Sequence, residues 1–481
     1  MRVQLIRYHD IGNINTRLAE SLNTRQGTLP ALGIGYIASS LEKANHEVDL
    51  VDCIALGLSA DELRARIRSF APHVVGVTAM TPTFRGAQEA SLIAKEEGAI
   101  TVMGGVHMSI YPKETLSHGY IDFGIAGEGE EAMVKLCDAL ENKLPVDDIR
   151  GLVYKKEGEV HQNGTVIVED VDSLPWPSYH LLPMEKYSSI IGLHPVSTMM
   201  GTRGCPYKCG FCYKTPSDSN IRSRSPKLVV DEMEHLVKKY NVKEIMFYDD
   251  IMLPKYTEGL SIEILNRNLN VKWQTPQRVN LVKPGLLKLM KQAGCHLLRF
   301  GVEQGDPEMM RLVEKRTTID RVRQVFRDTS EAKIDTFAYF ILGYANETEK
   351  TMQATIDLAI DLNPQFVMFT KATPLPRTPL MDTSVVQGLV PEDYWLRFTL
   401  GEEMEAIPPL VADADKWVKK AYQSFYFRPS KIANQFLRIR SLKDLQKNVA
   451  GFVGLLNFSM AKNAIEKQRH SLMDDLPDDK E

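Results

Sequence analysis

The run Gly201-Thr202-Arg203-Gly204-Cys205-Pro206-Tyr207-Lys208-Cys209-Gly210-Phe211-Cys212-Tyr213 places three thiols at C-x3-C-x2-C spacing in one short loop of a 481-residue chain whose other three cysteines are scattered. Three soft ligands this close can hold three corners of an iron–sulfur cube and leave the fourth iron open to a small molecule. Alone they do not complete a four-ligand zinc site. A zinc knuckle with a distant fourth ligand and thiols that merely pack in a core are the other readings. Structural cysteines, however, do not normally gather in a Gly/Pro/Lys-rich loop.

Such a loop needs rigid elements to hold it. Residues 1 to about 145 alternate β-branched runs (Val3–Tyr8, Glu47–Val51, Val74–Thr78, Ile100–Met103, Asp122–Ala126) with helical patterns (Leu32–Ala44, Ala60–Phe70, Arg85–Glu97, Glu130–Leu140). That rhythm predicts βαβ units and a parallel sheet covered on both faces. Ligands of such sheets sit beyond the carboxyl ends of the strands, here at Thr78–Thr83, Gly104-Gly105-Val106-His107 and Gly127-Glu128-Gly129-Glu130. Paired glycines let backbone amides approach a bulky ligand, and the Thr78 and Thr81 hydroxyls can donate to phosphate or amide groups. The same glycines can also simply turn the chain, and Gly127–Glu130 can cap the next helix.

From 146 to 195 the pattern loosens. Gly151–Tyr154 and Thr165–Val168 flank a charged, turn-rich segment and predict a hairpin; Leu174-Pro175-Trp176-Pro177 and Leu182-Pro183 make a stiff linker. From 196 to 385 alternation resumes, with strands expected at Val196–Gly201, Glu244–Asp249, Lys272–Thr275, Leu297–Val302, Thr336–Leu342 and Phe366–Lys371. Six β/α units are fewer than the eight of a closed barrel, so a partial barrel is expected, with the cysteine loop after its first strand at the face where barrel chemistry occurs. Asp249-Asp250, Arg278 and Glu303 stand near other strand ends. Residues 386–481 read as helical, with an aromatic stripe (Trp417, Tyr422, Phe425, Tyr426, Phe427) of core character, a short apolar stretch at Phe452–Met460 and an acidic tail, Asp474–Glu481, expected to be disordered.

The cysteine loop, with an aromatic residue before its third Cys, resembles the signature of radical S-adenosylmethionine (SAM) enzymes. Together with Pro30-Ala31-Leu32-Gly33, the front loops resemble the cobalamin-binding Rossmann-like domain of one branch of them, which includes class B radical SAM methyltransferases and the anaerobic magnesium-protoporphyrin ester cyclase. The resemblance implies an α/β fold: a Rossmann-like domain (1–145), a hairpin and Pro-rich linker (146–195), a (β/α)6 partial barrel (196–385) and a C-terminal helical domain (386–481). It further implies a 4Fe–4S cluster on Cys205, Cys209 and Cys212. SAM contacts fall on Phe211 (backbone, at adenine), Asp249 and Asp250 (ammonium), Arg278 (carboxylate) and Glu303 (ribose). Cobalamin contacts fall on Thr78, Thr81, Gly104, Gly105, Val106, Gly127, Glu128 and Gly129. For Asp249-Asp250 a helix N-cap, and for Arg278 a solvated arginine, remain open.

There are departures. His9-x-x-Gly12 lacks the preceding Asp that would orient a cobalt-ligating imidazole, Arg7 standing there, so His9 reads as a loop residue, as does His107. Gly343-Tyr-Ala-Asn-Glu347-Thr348 and Thr373-Pro-Leu-Pro-Arg377-Thr378-Pro379 resemble the branch's G-x-P-G-E-T and T-P-x-P-G-T, with Ala345-Asn346 replacing Pro-Gly and Arg377 replacing Gly. Arg377 therefore reads either as substrate-facing or as a surface arginine. Cys53, Cys137 and Cys295 read as small core residues.

The implied activity is cleavage of SAM to a 5′-deoxyadenosyl radical and transfer of a methyl group from methylcobalamin to an unactivated carbon of a small-molecule or peptide substrate, with an electron donor such as flavodoxin or ferredoxin. A cobalamin-dependent radical SAM cyclase or ring-rearranging enzyme is the alternative; a non-catalytic sensor would not need SAM-shaped residues at three strand ends. The methylthiotransferases carry a second three-cysteine cluster in front, which Cys53 and Cys137 cannot supply. With 58 basic against 62 acidic residues and a net charge of −4, nucleic acid is not favoured as a partner. No window approaches the ~18 apolar residues of a membrane span. A cytoplasmic enzyme is expected, six cysteines without a paired framework agreeing with a reducing compartment.

Overall fold

The computed structural model describes residues 1–9, 28–189, 191–214 and 216–437. The end of the region that reads as helical, with its apolar stretch Phe452–Met460 and the acidic tail, lies outside them, as does Gly12.

Strands β1 (Arg2–Arg7), β2 (Glu47–Asp52), β3 (Val74–Thr78), β4 (Ile100–Gly104) and β5 (Phe123–Ile125) pair in parallel in the order β2-β1-β3-β4-β5. The order reverses between β1 and β3, so a crevice opens there at the carboxyl edge, where doubly wound sheets bind ligands. β1, β3 and β4 are buried along most of their length because helices cover both faces. The helix over Ala60–Phe70 starts on a Ser59/Glu62 capping box and stops where Ala71 turns left-handed.

The hairpin differs from expectation. β6 (Leu152–Lys156) and β7 (Glu159–Gln162) pair antiparallel and extend the sheet to seven strands. Glu157 and Gly158 both take positive φ (54° and 86°), which makes the two-residue turn that matches strand twist and brings the return strand forward of Thr165–Val168. Val166 instead forms a parallel bridge to Gly127.

A second sheet is wholly parallel: β8 (Val196–Met199), β11 (Glu244–Phe247), β12 (Lys272–Gln277), β13 (Cys295–Glu303), β14 (Asp335–Leu342) and β15 (Phe366–Lys371), in sequential order. Between β8 and β11, β9 (Thr202–Arg203) and β10 (Arg222–Ser223) form a small antiparallel ribbon around the cysteine loop. Six strands leave the barrel open at β15, whose unpaired backbone needs a cover. The helix Ala414–Tyr426 supplies it. The Tyr426 hydroxyl accepts from Val367 N–H and donates to Val367 O, both at 3.0 Å, and the Tyr422 hydroxyl accepts from Phe369 N–H at 3.2 Å. The aromatic stripe is thus barrel cover.

Both hydrophobic cores are shared between the two sheets. One joins Val3, Leu5 and Leu136 to Ile245, Trp273 and Phe340; the other joins Ile6, Val77 and Phe84 to Tyr344, Leu380 and Trp395. Among the described residues no helix is long and apolar enough to cross a membrane.

Candidate functional site

The cysteine loop is held from outside by Asp249, at the end of β11. Its Oδ1 accepts from Gly201 N–H at 3.0 Å, from the Thr202 hydroxyl at 2.7 Å and from Thr202 N–H. Burial lifts this carboxyl to about 7 against those three hydrogen bonds, and its Oδ2 has no partner. Asp250 Oδ2 accepts from Gly204 N–H at 3.2 Å. Neither aspartate caps a helix, the next one starting at Pro254. Gly204 has φ of 90°, and a Cβ there would collide with the carbonyls of Asn220 and Asp218. Cys205 N–H donates to Asp218 O at 2.7 Å, Gly210 N–H to Val313 O at 3.1 Å, and Leu380 N–H to Gly210 O at 2.8 Å.

Cys209 is buried, and Cys205 and Cys212 are half-buried. The Cys212 thiol is pushed up mainly by burial, partly by the charges of Cys209, Asp250 and Cys205, and pulled down by Lys214. The three thiols are therefore within electrostatic reach of one another. Three thiols on one loop braced through its backbone are the donor set a cube takes, one thiolate to each of three irons.

Around the loop, Arg278 spends its donors on the protein: Nη1 to Cys209 Sγ at 3.4 Å, Nη2 to Lys315 O at 2.5 Å and Nε to Asn280, with the guanidinium 3.6 Å from the Tyr207 ring centroid. It clamps the cysteine loop and is not a solvated arginine. Glu303 ends β13 with φ of 72°, in the left-handed region that non-glycine residues enter at a cost. Its Oε1 accepts from Lys315 Nζ at 2.7 Å, with both side chains about 9% exposed, and the pair folds over Gly301, where a Cβ would collide with both. Lys315 Nζ is also 5.9 Å from the Phe211 ring centroid. Lys315 is a site residue that sequence reasoning missed; it follows a short helix, Pro307–Leu312, with no periodic signal of its own.

A cavity of about 340 Å³ opens between the carboxyl edge of the front sheet and the barrel rim. Thr78, Gly104, Gly105, Gly127, Glu128 and Gly129 line one side, and Gly204, Tyr248 and Asp250 the other. A Cβ at Gly33 or Gly104 would meet nothing within 4 Å; those glycines leave the space open. Gly105 (φ 90°) and Gly127 (φ 101°) press instead against Ala79 and Val166, where a Cβ would collide with backbone. This glycine-walled crevice at a topological switch point suits a bulky nucleotide-bearing cofactor.

Several expected contacts lie elsewhere. Thr81 is buried with its hydroxyl 3.1 Å from His107 Nδ1, and His107, stacked on Phe84, is held neutral by burial that lowers it to about 3. Val106 is 37% exposed and does not line the cavity. His9, read from the sequence as a loop residue, has its Nε2 2.5 Å from Leu58 O and does not line the cavity. Glu128 contributes backbone, because its carboxylate is bound by Arg222 (2.6 and 2.9 Å) and Arg203 (3.2 Å), while Arg203 also meets Glu130 at 2.7 Å. Burial opposes ionisation of Glu128, but the Arg222 hydrogen bonds and the Arg203 charge outweigh it and hold the carboxyl below its usual range. These arginines, from the ribbon beside the cysteines, join the two halves. Arg377 does the same, its Nη2 donating to Ile110 O at 2.8 Å, so its hydrogen bond goes to the front sheet's side of the molecule.

Residues 199–359 match the Radical SAM superfamily, and residues 21–137 match the B12 binding domain. An uncharacterized methyltransferase of Pyrococcus horikoshii is 32% identical, with the match covering 84% of this chain and 89% of that one. The anaerobic magnesium-protoporphyrin IX monomethyl ester cyclase of Rubrivivax gelatinosus is also 32% identical, over 73% of this chain and 65% of its own length. In fold, the chain is similar to the radical SAM methyltransferase TsrM from Kitasatospora setae, solved with cobalamin and a [4Fe-4S] cluster, at a TM-score of 0.63 and 18% identity, covering 80% of this chain and 75% of that one. The chain is a radical SAM enzyme by its second sheet and loop. It belongs to the cobalamin-binding branch of that superfamily, whose cofactors are a 4Fe–4S cluster, SAM and cobalamin.

Proposed function

We propose that the protein is a cobalamin-dependent C-methyltransferase acting on an unactivated carbon of a small-molecule or peptide substrate. The observation that carries this is the single cavity bounded on one side by the glycine loops of the front sheet and on the other by Gly204, Tyr248 and Asp250 beside the cysteines. Two cofactor sites that open on one space can act on one substrate held between them.

In this reading Cys205, Cys209 and Cys212 hold the cluster, and Asp249 and Asp250 fix the loop through its backbone. Asp250, exposed at the cavity, is the carboxylate placed to meet the SAM ammonium. Glu303 and Lys315 form a buried pair beside Phe211 that suits the ribose and carboxylate ends of SAM. Arg278 positions the Cys209 sulfur rather than SAM. Thr78 and the backbone of Gly104, Gly105 and Gly127–Gly129 cradle cobalamin, while Thr81 and Val106 support that wall from behind. When bound, these cofactors supply a SAM-derived radical and a cobalt-carried methyl group.

The same reading has an electron donor of the flavodoxin or ferredoxin type, a cytoplasmic setting, and a division into a cobalamin domain (1–145), a linker (146–195), a barrel (196–385) and a helical region (386–481). The test is anaerobic turnover of reconstituted enzyme with SAM, methylcobalamin and extracts of candidate substrates. A product heavier by one methyl mass, with 5′-deoxyadenosine formed alongside, is expected. 5′-Deoxyadenosine with a product of unchanged carbon count would move the assignment to the cyclase type.

A further inference from the structure

Inside the partial barrel lies a buried cation that has no counter-ion among the described residues. Along β13, Phe300 packs on Phe326 of the outer helix Ile319–Glu331, with ring centroids 5.3 Å apart, so Arg299, Gly301 and Glu303 point to the interior. Arg299 is 9% exposed. Its Nη2 donates to Phe247 O, its guanidinium carbon is 5.7 Å from the Tyr248 ring centroid, and its charge works against the rise that burial gives the Tyr339 hydroxyl. Among the described residues no carboxylate pairs with it, and its buried Nε has no partner. The nearest interior carboxylate on the strand, Glu303, is committed to Lys315.

A buried guanidinium with one donor unsatisfied is costly, and an arriving anion offsets that cost in both charge and hydrogen bonding. The interior wall here is accessible: Tyr339 and Met368, paired across β14 and β15, are only partly buried, whereas their neighbours Ala338, Phe340, Val367 and Phe369 are buried on the helix side. Arg299 is level with Pro276 and Phe337 in the sheet, at the height where β11 has ended and Tyr248 enters the cavity.

Resting on the methyl-transfer reading above, we propose that Arg299 binds an oxyanion of the substrate, a carboxylate or a phosphate-type group, with Tyr248 and Tyr339 flanking it. The substrate is therefore an anionic molecule whose charged end enters the barrel, leaving its reacting carbon toward the cavity. A guanidinium suits either oxyanion through its forked donors.

The test uses anaerobic holoenzyme titrated by calorimetry with benzoate and, separately, phenylphosphonate, each with and without saturating SAM. One of the two is expected to bind, which identifies the oxyanion class. Arg299→Gln should weaken that probe at least ~10-fold, whereas Arg299→Lys, which keeps the charge but not the fork, should weaken it less. Binding of neither probe to the wild-type holoenzyme would overturn the proposal, as would equal binding by the Gln variant. Competition between probe and SAM, with SAM affinity lost in Arg299→Gln, would assign the guanidinium to the SAM carboxylate and overturn it too. These titrations involve no turnover. Their failure leaves methyl transfer standing, while absence of 5′-deoxyadenosine formation would sink methyl transfer alone.

Discussion

Replacing Arg222 by Met removes the terminal cation of the Arg222–Glu128–Arg203–Glu130 set, the one bound to Glu128 by two hydrogen bonds. The Arg222 side chain is 9% exposed, makes two hydrogen bonds to Glu128 (2.6 and 2.9 Å) and donates to Val168 O at 2.5 Å. Breaking a buried pair from one side costs about 3–5 kcal/mol. Glu128 keeps Arg203 at 3.2 Å and Val168 N–H at 2.5 Å, so a loss nearer 2–3 kcal/mol is expected. At roughly 1 °C per kcal/mol for a cooperative unit of this length, the melting temperature falls by about 2–3 °C. Because Gly127 and Gly129 line the cavity, cobalamin affinity should fall with it. The assay is a double-mutant cycle of Arg222→Met, Glu128→Gln and the double variant, read by thermal melting and bound cobalamin. A coupling energy of at least about 1.5 kcal/mol is expected, and purely additive effects would refute the reasoning. Glu128, held below its ordinary 4.5, supports stability above that pH and loses its contribution as pH falls through its folded value. The single Met variant should lack part of this acid-side loss.

Alanine at Cys205, Cys209 or Cys212 should each abolish the cluster, read as iron per chain after anaerobic reconstitution. Gly104→Val places a branched side chain into open cavity space on a strand end that accepts it, so folding should persist while cobalamin affinity drops at least ~10-fold; unchanged cobalamin content would refute the cavity assignment. Burial lifts Glu347 to about 7, against hydrogen bonds from Tyr344, Gly343 and Gln304. A raised folded value means stability is lost as pH rises from about 4.5 through 7, so Glu347→Gln should flatten the fall in melting temperature between pH 5.5 and 8.5 by on the order of 2 °C, at ~1.4 kcal/mol per pKa unit. Tyr426→Phe should cost about 1 kcal/mol by uncovering Val367, seen as faster amide exchange along β15.

The strands were legible because each is a β-branched or aromatic run with turn residues at its ends, and Phe366–Lys371 or Val74–Thr78 needs no partner to be seen. Glu303 stood out because a carboxylate at the end of a parallel strand is unusual. Its left-handed backbone was not legible, since a register shift in β13 produces it. Partnerships were the hidden part. Glu128 and Arg222 lie 94 residues apart, and Arg377 meets Ile110 across 267, distances at which no local pattern reports who pairs with whom. Thr81 looked like a ligand because of its loop, yet the tight turn at Met80–Thr83 faces it inward onto His107. Arg278 sat where a SAM carboxylate contact was expected, and only the stacking on Tyr207 reveals a clamp.

The arginine ribbon at Arg203 and Arg222 also bears on how this protein can be taken apart. Both guanidinium groups take their counter-charge from the front half, and Arg224 borrows the Tyr36 hydroxyl at 3.2 Å from the same side. A barrel produced alone would strand these cations next to the residues that must receive iron. The front half is therefore not an interchangeable cartridge. Chimaeras that exchange it should fail at cluster maturation, before any question of substrate arises, unless the acidic pair at 128 and 130 travels with the ribbon.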